Sequence, residues 1–148
     1  MRIRVRQTWK DQISNPEKVS EILRSILATE SEIDRDKEHF WVLGLSTSNV
    51  IRYIDLVSLG TLDMTLCEPR EVFRLAVMKG VKAIIVAHNH PLFRHRHNHP
   101  SGEPSPSTLD KQVTKTLADA GKILGIKLLD AIIVTDNDFW SASGAGMI

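Results

Sequence analysis

The sequence predicts an α/β fold in which a mixed sheet is flanked by helices. Two apolar runs, at residues 39–45 and 50–57, are separated by the turn residues Ser46 to Asn49 and predict a β-hairpin. The unbroken apolar run at residues 83–87 is typical of a strand that is buried on both faces. Strands and helices alternate after the hairpin, which is the arrangement of a layered α/β domain.

Capping residues and apolar periodicity predict three helices. The segment 14–17 places a capping side chain before a proline, and the apolar residues that follow recur on one helical face. A second helix is predicted to begin at Pro69 and to end at Gly80. A third is predicted to begin after the cap residue Ser107 and to end at Gly125.

The remaining segments complete the predicted order of elements. Further strands are predicted at residues 62–67 and 126–134, with a short edge strand near the C-terminus. Residues 29–37 are charged and show no apolar pattern, so they predict a linker. We therefore divide the chain into an N-terminal helix with a charged linker, residues 1–37, and a main domain, residues 38–148.

Composition is that of a soluble globular protein and excludes several classes of function. The apolar fraction is 42% and the charged fraction 25%, and the formal net charge of +1 provides no global attraction to nucleic acid or anionic lipid. Cys67 is the only cysteine, which excludes an internal disulfide and a Cys-rich zinc site and favours a cytoplasmic location. Neither a signal-peptide core nor an apolar run of about 20 residues is present, so no membrane association is expected.

The most informative stretch of the sequence immediately precedes the third predicted helix. His97 and His99 are one residue apart, so in extended structure their side chains lie on the same side. Ser107 and Asp110 are three residues apart and meet on the first turn of a helix. Two imidazoles and a carboxylate suit zinc and leave one tetrahedral position open, as in catalytic sites. The pattern predicts hydrolysis by metal-activated water, with Glu38 as the candidate general base.

Several motifs together resemble the RadC family of JAB/MPN-type metalloprotein domains. The resemblance extends from Glu38 to the C-terminus. The motifs are Glu-His-Phe at 38–40, Gly-Thr-Leu-Asp at 60–63, Pro-Arg-Glu-Val-Phe at 69–73, Ala-His-Asn-His-Pro at 87–91, Ser-Gly-Glu-Pro-Ser-Pro-Ser-x-x-Asp at 101–110 and Leu-Asp at 129–130. The resemblance implies an MPN/JAB-type fold with cytidine-deaminase-like layering, here in the short single-domain form.

The JAMM pattern of this family implies roles for five residues of the chain. The pattern is a distant Glu, then His-x-His, seven residues, Ser, two residues and Asp, and it matches at Glu38, His97, His99, Ser107 and Asp110. The resemblance implies that His97, His99 and Asp110 hold Zn²⁺. It assigns Glu38 the transfer of a proton from water to the leaving amine, and Ser107 the stabilisation of the oxyanion. A JAMM-type zinc metallopeptidase that cleaves amide bonds of a peptide or protein conjugate is therefore expected.

A duplication leaves more than one choice of histidine ligands open. The motif His-Asn-His-Pro occurs twice, nine residues apart. The predicted buried strand runs directly into the first copy, which favours His88 and His90 with the second copy in a loop insertion. The second copy keeps its histidines, the serine and the aspartate in one unit, and for this reason we favour His97 and His99. A mixed pair, His88 with His99, also stays open, as does a distorted site that binds no metal tightly.

Two departures from the family pattern support a second hypothesis. Ala131 stands where the family usually has histidine, and Gly144 stands where it often has glutamate, and both changes predict weaker metal binding or turnover. The second hypothesis is a non-catalytic JAB/MPN module that binds a protein or DNA partner in a role associated with DNA repair. The near-zero net charge argues against DNA. A zinc deaminase is excluded because one cysteine cannot supply its Pro-Cys-x-x-Cys ligands.

Overall fold

The computed structural model describes residues 1–6, 9, 13, 15–60, 67–90 and 105–148. The strands are β1 (Arg2–Ile3), β2 (Glu38–Leu45), β3 (Ile51–Gly60), β4 (Ala83–Asn89), β5 (Lys127–Val134) and β6 (Phe139–Ser141). The helices are α1 (Pro16–Ala28), α2 (Glu32–Arg35), α3 (Pro69–Val72), α4 (Arg74–Lys79) and α5 (Thr108–Leu124). The strands form one six-stranded sheet in the order β1-β3-β2-β4-β5-β6. The predicted α/β fold with a mixed sheet is confirmed.

The two faces of the sheet carry separate apolar clusters. Side chains of β2 alternate between them, because successive residues of a strand point to opposite faces. Trp41 packs with the apolar face of α1 in one cluster, and Val42 packs with residues of α3, α4 and α5 in the other. The sheet is therefore covered on both sides. None of the helices in the described part of the chain is both long enough and apolar enough to cross a membrane.

The N-terminal helix forms as predicted and packs against the sheet. Asn15 accepts a hydrogen bond from the Lys18 N–H at 2.9 Å, and Pro16 occupies the first helical position, where no N–H is needed. The predicted linker at residues 29–37 contains regular structure at its centre. A single helical turn, α2, forms there because the Ser31 side chain accepts a hydrogen bond from the Asp34 N–H at 3.2 Å. The division of the chain after residue 37 stays a prediction.

The other predicted elements agree with the structure apart from two differences, and one predicted strand lies almost wholly outside the described residues. The second predicted helix is broken at Phe73 into α3 and α4, and Gly80 ends α4 in a left-handed conformation with φ +64°. The apolar spacing along α5 also predicts that Leu124 packs inward, but Leu124 is 48% exposed because the buried stripe of that helix follows Thr114, Leu117 and Gly121. The predicted strand at residues 62–67 lies almost wholly outside the described residues.

The central strands bring the candidate site together at one end of the sheet. β2 pairs antiparallel with both β3 and β4, whereas β4 pairs parallel with β5. The parallel pair needs a crossover connection, and α5 provides its helix. The C-terminal end of β4, the N-terminus of α5 and the first residue of β2 therefore lie at the same end of the sheet. Ligand sites of open α/β sheets form beyond the carboxyl ends of strands.

One glycine of the central strand is required by close packing. Gly44 lies opposite Tyr53 in the β2–β3 ladder, and a Cβ at position 44 would collide with the buried Tyr53 ring. We expect Gly44→Ala to lower the free energy of unfolding by about 1–3 kcal/mol, the usual cost of overpacking a core. Chemical denaturation measures this change. In the matched control, Gly144→Ala, the new Cβ makes only an ordinary 3.5 Å contact with Ser141, so a change below about 0.5 kcal/mol is expected. Equal stabilities of the two variants would contradict this account.

Candidate metal centre

The end of β4 carries the two histidines of the first His-Asn-His copy. The Nε2 atoms of His88 and His90 lie 2.9 Å apart, and the two ring centroids are 4.8 Å apart. The side chains converge because residues two apart in extended structure point to the same side. The His90 N–H donates to the Val134 carbonyl at 2.9 Å, which continues the pairing of the chain with β5 beyond the last residue of β4. The strand pairing thus holds both imidazoles in place.

The N-terminus of α5 carries Asp110 and Ser107 in a capping box. The Ser107 Oγ accepts a hydrogen bond from the Asp110 N–H at 3.0 Å, and the Asp110 Oδ2 accepts one from the Ser107 N–H at 2.8 Å. The other carboxylate oxygen, Oδ1, lies 3.6 Å from the Nε2 of His88. One carboxylate oxygen therefore caps the helix while the second faces the histidines.

His88, His90 and Asp110 form a group that fits a divalent metal ion. Their ligand atoms all lie within 4.8 Å of one another, and all three side chains are half-buried. Tetrahedral zinc with bonds of about 2.0–2.2 Å separates its ligand atoms by about 3.3–3.6 Å. The observed separation of 3.6 Å falls at the upper end of that range, and the separation of 2.9 Å between the two histidine nitrogens lies below it. Two imidazole nitrogens and one carboxylate oxygen are also a donor set that suits zinc.

Glu38 lies at the same end of the sheet as this group. In the antiparallel β2–β4 ladder, the terminal pair is Phe40 with His88, and Glu38 lies two residues beyond it on β2, on the same face of the strand as Phe40. Residues directly opposite each other in such a pair share a face of the sheet. Glu38 is half-buried. The carboxylate predicted to act as general base therefore belongs to the same edge and face as the two imidazoles.

The structure describes some of the predicted site residues and not others. It brings together Asp110 and the first-copy pair, His88 and His90, and it places Ser107 in hydrogen-bond contact with Asp110 through the capping box. The favoured pair, His97 and His99, lies outside the described residues, and its assignment stays a prediction. The sequence does favour His88 and His90 in one respect. The apolar run of the buried strand β4 continues directly into this copy of the motif.

An apolar pocket adjoins the metal group on the α5 side of the sheet. Its lining includes His88 and Asp110, the buried Cys67, and a set of apolar side chains that includes Phe40, Val86, Leu109, Val113, Ala131 and Trp140. Ala131, one of the two departures from the family pattern, thus lines the same pocket as His88, and in the β4–β5 ladder it is paired with Val86.

Gly144, the second departure from the family pattern, lies in a turn that is held in place by the Asp130 side chain. The buried Asp130 carboxylate accepts hydrogen bonds from the Ser141 hydroxyl at 2.5 Å and from the Ser143 N–H at 3.0 Å. Gly144 donates its N–H to the Ser141 Oγ at 3.0 Å. Asp130 therefore joins β5 to the turn that follows β6. Its described bonds are those of a structural residue.

Comparison with known proteins identifies the family to which this chain belongs. The sequence model of the family described as "RadC-like JAB domain" matches residues 13–94 and 95–147. The chain belongs to the RadC-like JAB domain family. The predicted resemblance and the MPN/JAB-type fold are thereby confirmed.

The relatives of this RadC-family chain are longer proteins whose names state no activity. A UPF0758 protein of Desulforudis audaxviator is 38% identical over 139 residues, which cover 94% of this chain and 54% of the relative. A UPF0758 protein of Chlorobaculum tepidum is 44% identical over 108 residues, covering 73% of this chain and 45% of the relative. The chain thus spans about half the length of the curated relatives it matches.

Sequence reasoning missed one residue of this edge, Asn89. It lies between the two candidate ligands, is 3% exposed, and makes two hydrogen bonds, one buried and one half-buried, to the backbone of His39 in β2 and of Lys37 just before it. The motif alone does not reveal it, because both copies contain an asparagine at this point. Its partners become visible only through the pairing of β2 with β4.

Proposed function

We propose that this RadC-family chain is a zinc-dependent hydrolase of amide bonds, peptide or isopeptide, in a peptide or protein conjugate. The observation that carries the proposal is the convergence of His88, His90 and Asp110 within 4.8 Å, at the same edge of the sheet as Glu38. Three protein ligands are the number that catalytic zinc sites use, whereas structural sites use four. A carboxylate that is not one of these three is then available as general base.

We further propose His88 and His90 as the histidine ligands. Their Nε2 atoms are 2.9 Å apart, and one of them is 3.6 Å from the Asp110 Oδ1. The capping box fixes Asp110 through its other oxygen, so this orientation of the carboxylate does not depend on a metal. Such an arrangement lowers the entropic cost of binding the ion, since its ligands are already ordered.

The residues of the site have distinct chemical tasks in this proposal. A zinc ion, when bound, polarises the substrate carbonyl and lowers the pKa of a coordinated water to about 7. The Glu38 carboxylate accepts the proton of the attacking water and passes it to the nitrogen of the leaving amine. Ser107 uses its oxygen as an acceptor in the capping box, so its O–H hydrogen can donate to the developing oxyanion.

Removal and replacement of the metal test the proposal. Protein treated with a chelator and then given one equivalent of Zn²⁺ is incubated with libraries of peptides and isopeptide-linked conjugates, and new amines are detected by mass spectrometry. We expect one zinc per chain, cleavage by the zinc-loaded protein and none by the chelated protein. Protein that binds no zinc would contradict the metal site. Stoichiometric zinc without any cleavage would contradict the hydrolase and favour the non-catalytic module.

A further inference from the structure

We infer that Asn89 is a positioning residue that fixes Glu38 relative to the two histidines, an inference that rests on the proposed function. Asn89 lies between His88 and His90 in the chain, and its side chain is buried. The strand alternation points it to the face opposite the apolar pocket, where it lines a cleft with residues of α1 and α2. From that side its amide group bonds to β2.

The two hydrogen bonds of the Asn89 side chain bracket Glu38. The Oδ1 accepts the N–H of His39 at 2.6 Å, and the Nδ2 donates to the carbonyl of Lys37 at 3.1 Å. These groups belong to the two peptide units on either side of the Glu38 Cα. One side chain therefore holds the backbone of the candidate general base before and after its Cα.

The two Asn89 hydrogen bonds lie just beyond the end of the β2–β4 ladder, where backbone pairing no longer holds the two strands together. The paired residues of the β2–β4 ladder end at Phe40 and His88. Beyond that pair, the ladder no longer sets the spacing between the strands, yet Glu38 lies two residues further along. The Asn89 amide replaces the missing ladder bonds in a buried place, where an unmade hydrogen bond is costly.

The side chain of His39 adds further contacts to the same segment of β2. The buried His39 ring stacks on Trp41, with ring centroids 5.1 Å apart. Its Nδ1 lies 2.8 Å from the Lys37 carbonyl oxygen, and its Nε2 lies 2.6 Å from the Glu30 Oε2. The Lys37 carbonyl thus contacts both Asn89 and the His39 ring. Asn89 is the member of this network that connects it to the strand carrying the histidines.

The test uses Asn89→Leu, which replaces the amide with an apolar group of similar size. We expect kcat of the zinc-loaded protein to fall by about 10–100-fold, because a displacement of about 1 Å in a catalytic group can have an effect of this size. The zinc content should stay at one per chain, and KM should stay within about twofold, since no ligand or binding residue is removed. Hydrogen exchange of the His39 amide should become at least about tenfold faster, while the amides of residues 41–45 keep their rates.

A control separates positioning from general loss of stability. Ile54→Val removes a methylene group from the fully buried core on β3, on the other side of β2. We expect this variant to be less stable than the wild type but to retain its kcat and its His39 exchange rate. Wild-type kcat and wild-type His39 exchange in Asn89→Leu would overturn the inference, and so would an equal loss of kcat in Ile54→Val.

Two further measurements keep the inference testable if Asn89→Leu does not fold. Asn89→Asp retains the acceptor for the His39 N–H but removes the donor to Lys37, so we expect an intermediate loss of kcat. In the wild-type chain, the Nδ2 hydrogens of Asn89 should exchange slowly, and exchange as fast as that of a solvent-exposed amide would overturn the inference. If the wild type shows no Glu38-dependent cleavage, the proposed function fails, and the exchange rates alone decide whether Asn89 holds this segment.

Discussion

Glu38→Gln is expected to lower the rate of amide hydrolysis by about 10²–10⁴-fold, the usual contribution of a general base. The substitution keeps the size of the side chain and its place at the start of β2, but an amide cannot accept a proton from water at neutral pH. Glu38 lies outside the group of residues whose ligand atoms converge. The zinc content should therefore stay at one per chain while kcat/KM falls.

The control for this variant is Glu21→Gln, which makes the same chemical change at an exposed position of α1. We expect its kcat/KM and zinc content to equal those of the wild type. Full activity of Glu38→Gln would show that another group accepts the proton. Loss of zinc from Glu38→Gln would show that Glu38 is a metal ligand, which the proposed ligand set does not allow.

His88→Ala and His90→Ala are each expected to abolish stoichiometric zinc binding. Each variant removes one of two nitrogens that lie 2.9 Å apart beside Asp110. Loss of a residue that merely supports a ligand weakens metal binding by 10–100-fold, so loss of a ligand should weaken it by more than about 100-fold. Competition titration with a metal buffer measures the affinity, and the zinc content after dialysis gives an independent value.

The duplication supplies matched controls for these two variants. His97→Ala and His99→Ala make the same change in the same tripeptide, nine residues further along the chain. We expect both to bind zinc as the wild type does. Zinc loss confined to these two variants would assign the metal to the second copy. Zinc loss on substitution of His88 and His99 alone would assign it to the mixed pair.

The sequence predicts where the helices begin and end better than it predicts which histidines belong to the site. Asn15, Ser107 and Gly125 mark helix ends through local chemistry, and the structure forms caps at each of them. The capping box of Ser107 and Asp110 follows from their spacing in the same way. Such features depend on neighbouring residues alone, so a sequence is sufficient to predict them.

The choice between the two His-Asn-His copies depends on tertiary structure. The second copy satisfies the JAMM spacing to Ser107, which is a local criterion. The first copy ends a strand that pairs with β2 and β5, and this pairing brings it to Asp110 across a gap in sequence. Spacing along the chain does not report where a strand ends in space. Asn89 was not predicted for the same reason, since its partners are the backbone of His39 in β2 and of Lys37 just before that strand.

The central claim is that His88, His90 and Asp110 bind one zinc ion with a fourth position open. Anomalous scattering at the zinc absorption edge, measured on crystals of the zinc-loaded protein, tests it most directly. We expect one peak per chain, about 2.0–2.2 Å from a nitrogen of each histidine and an oxygen of the aspartate, with no protein atom in the fourth position. A peak held by His97 and His99, or one with four protein ligands, would contradict the claim.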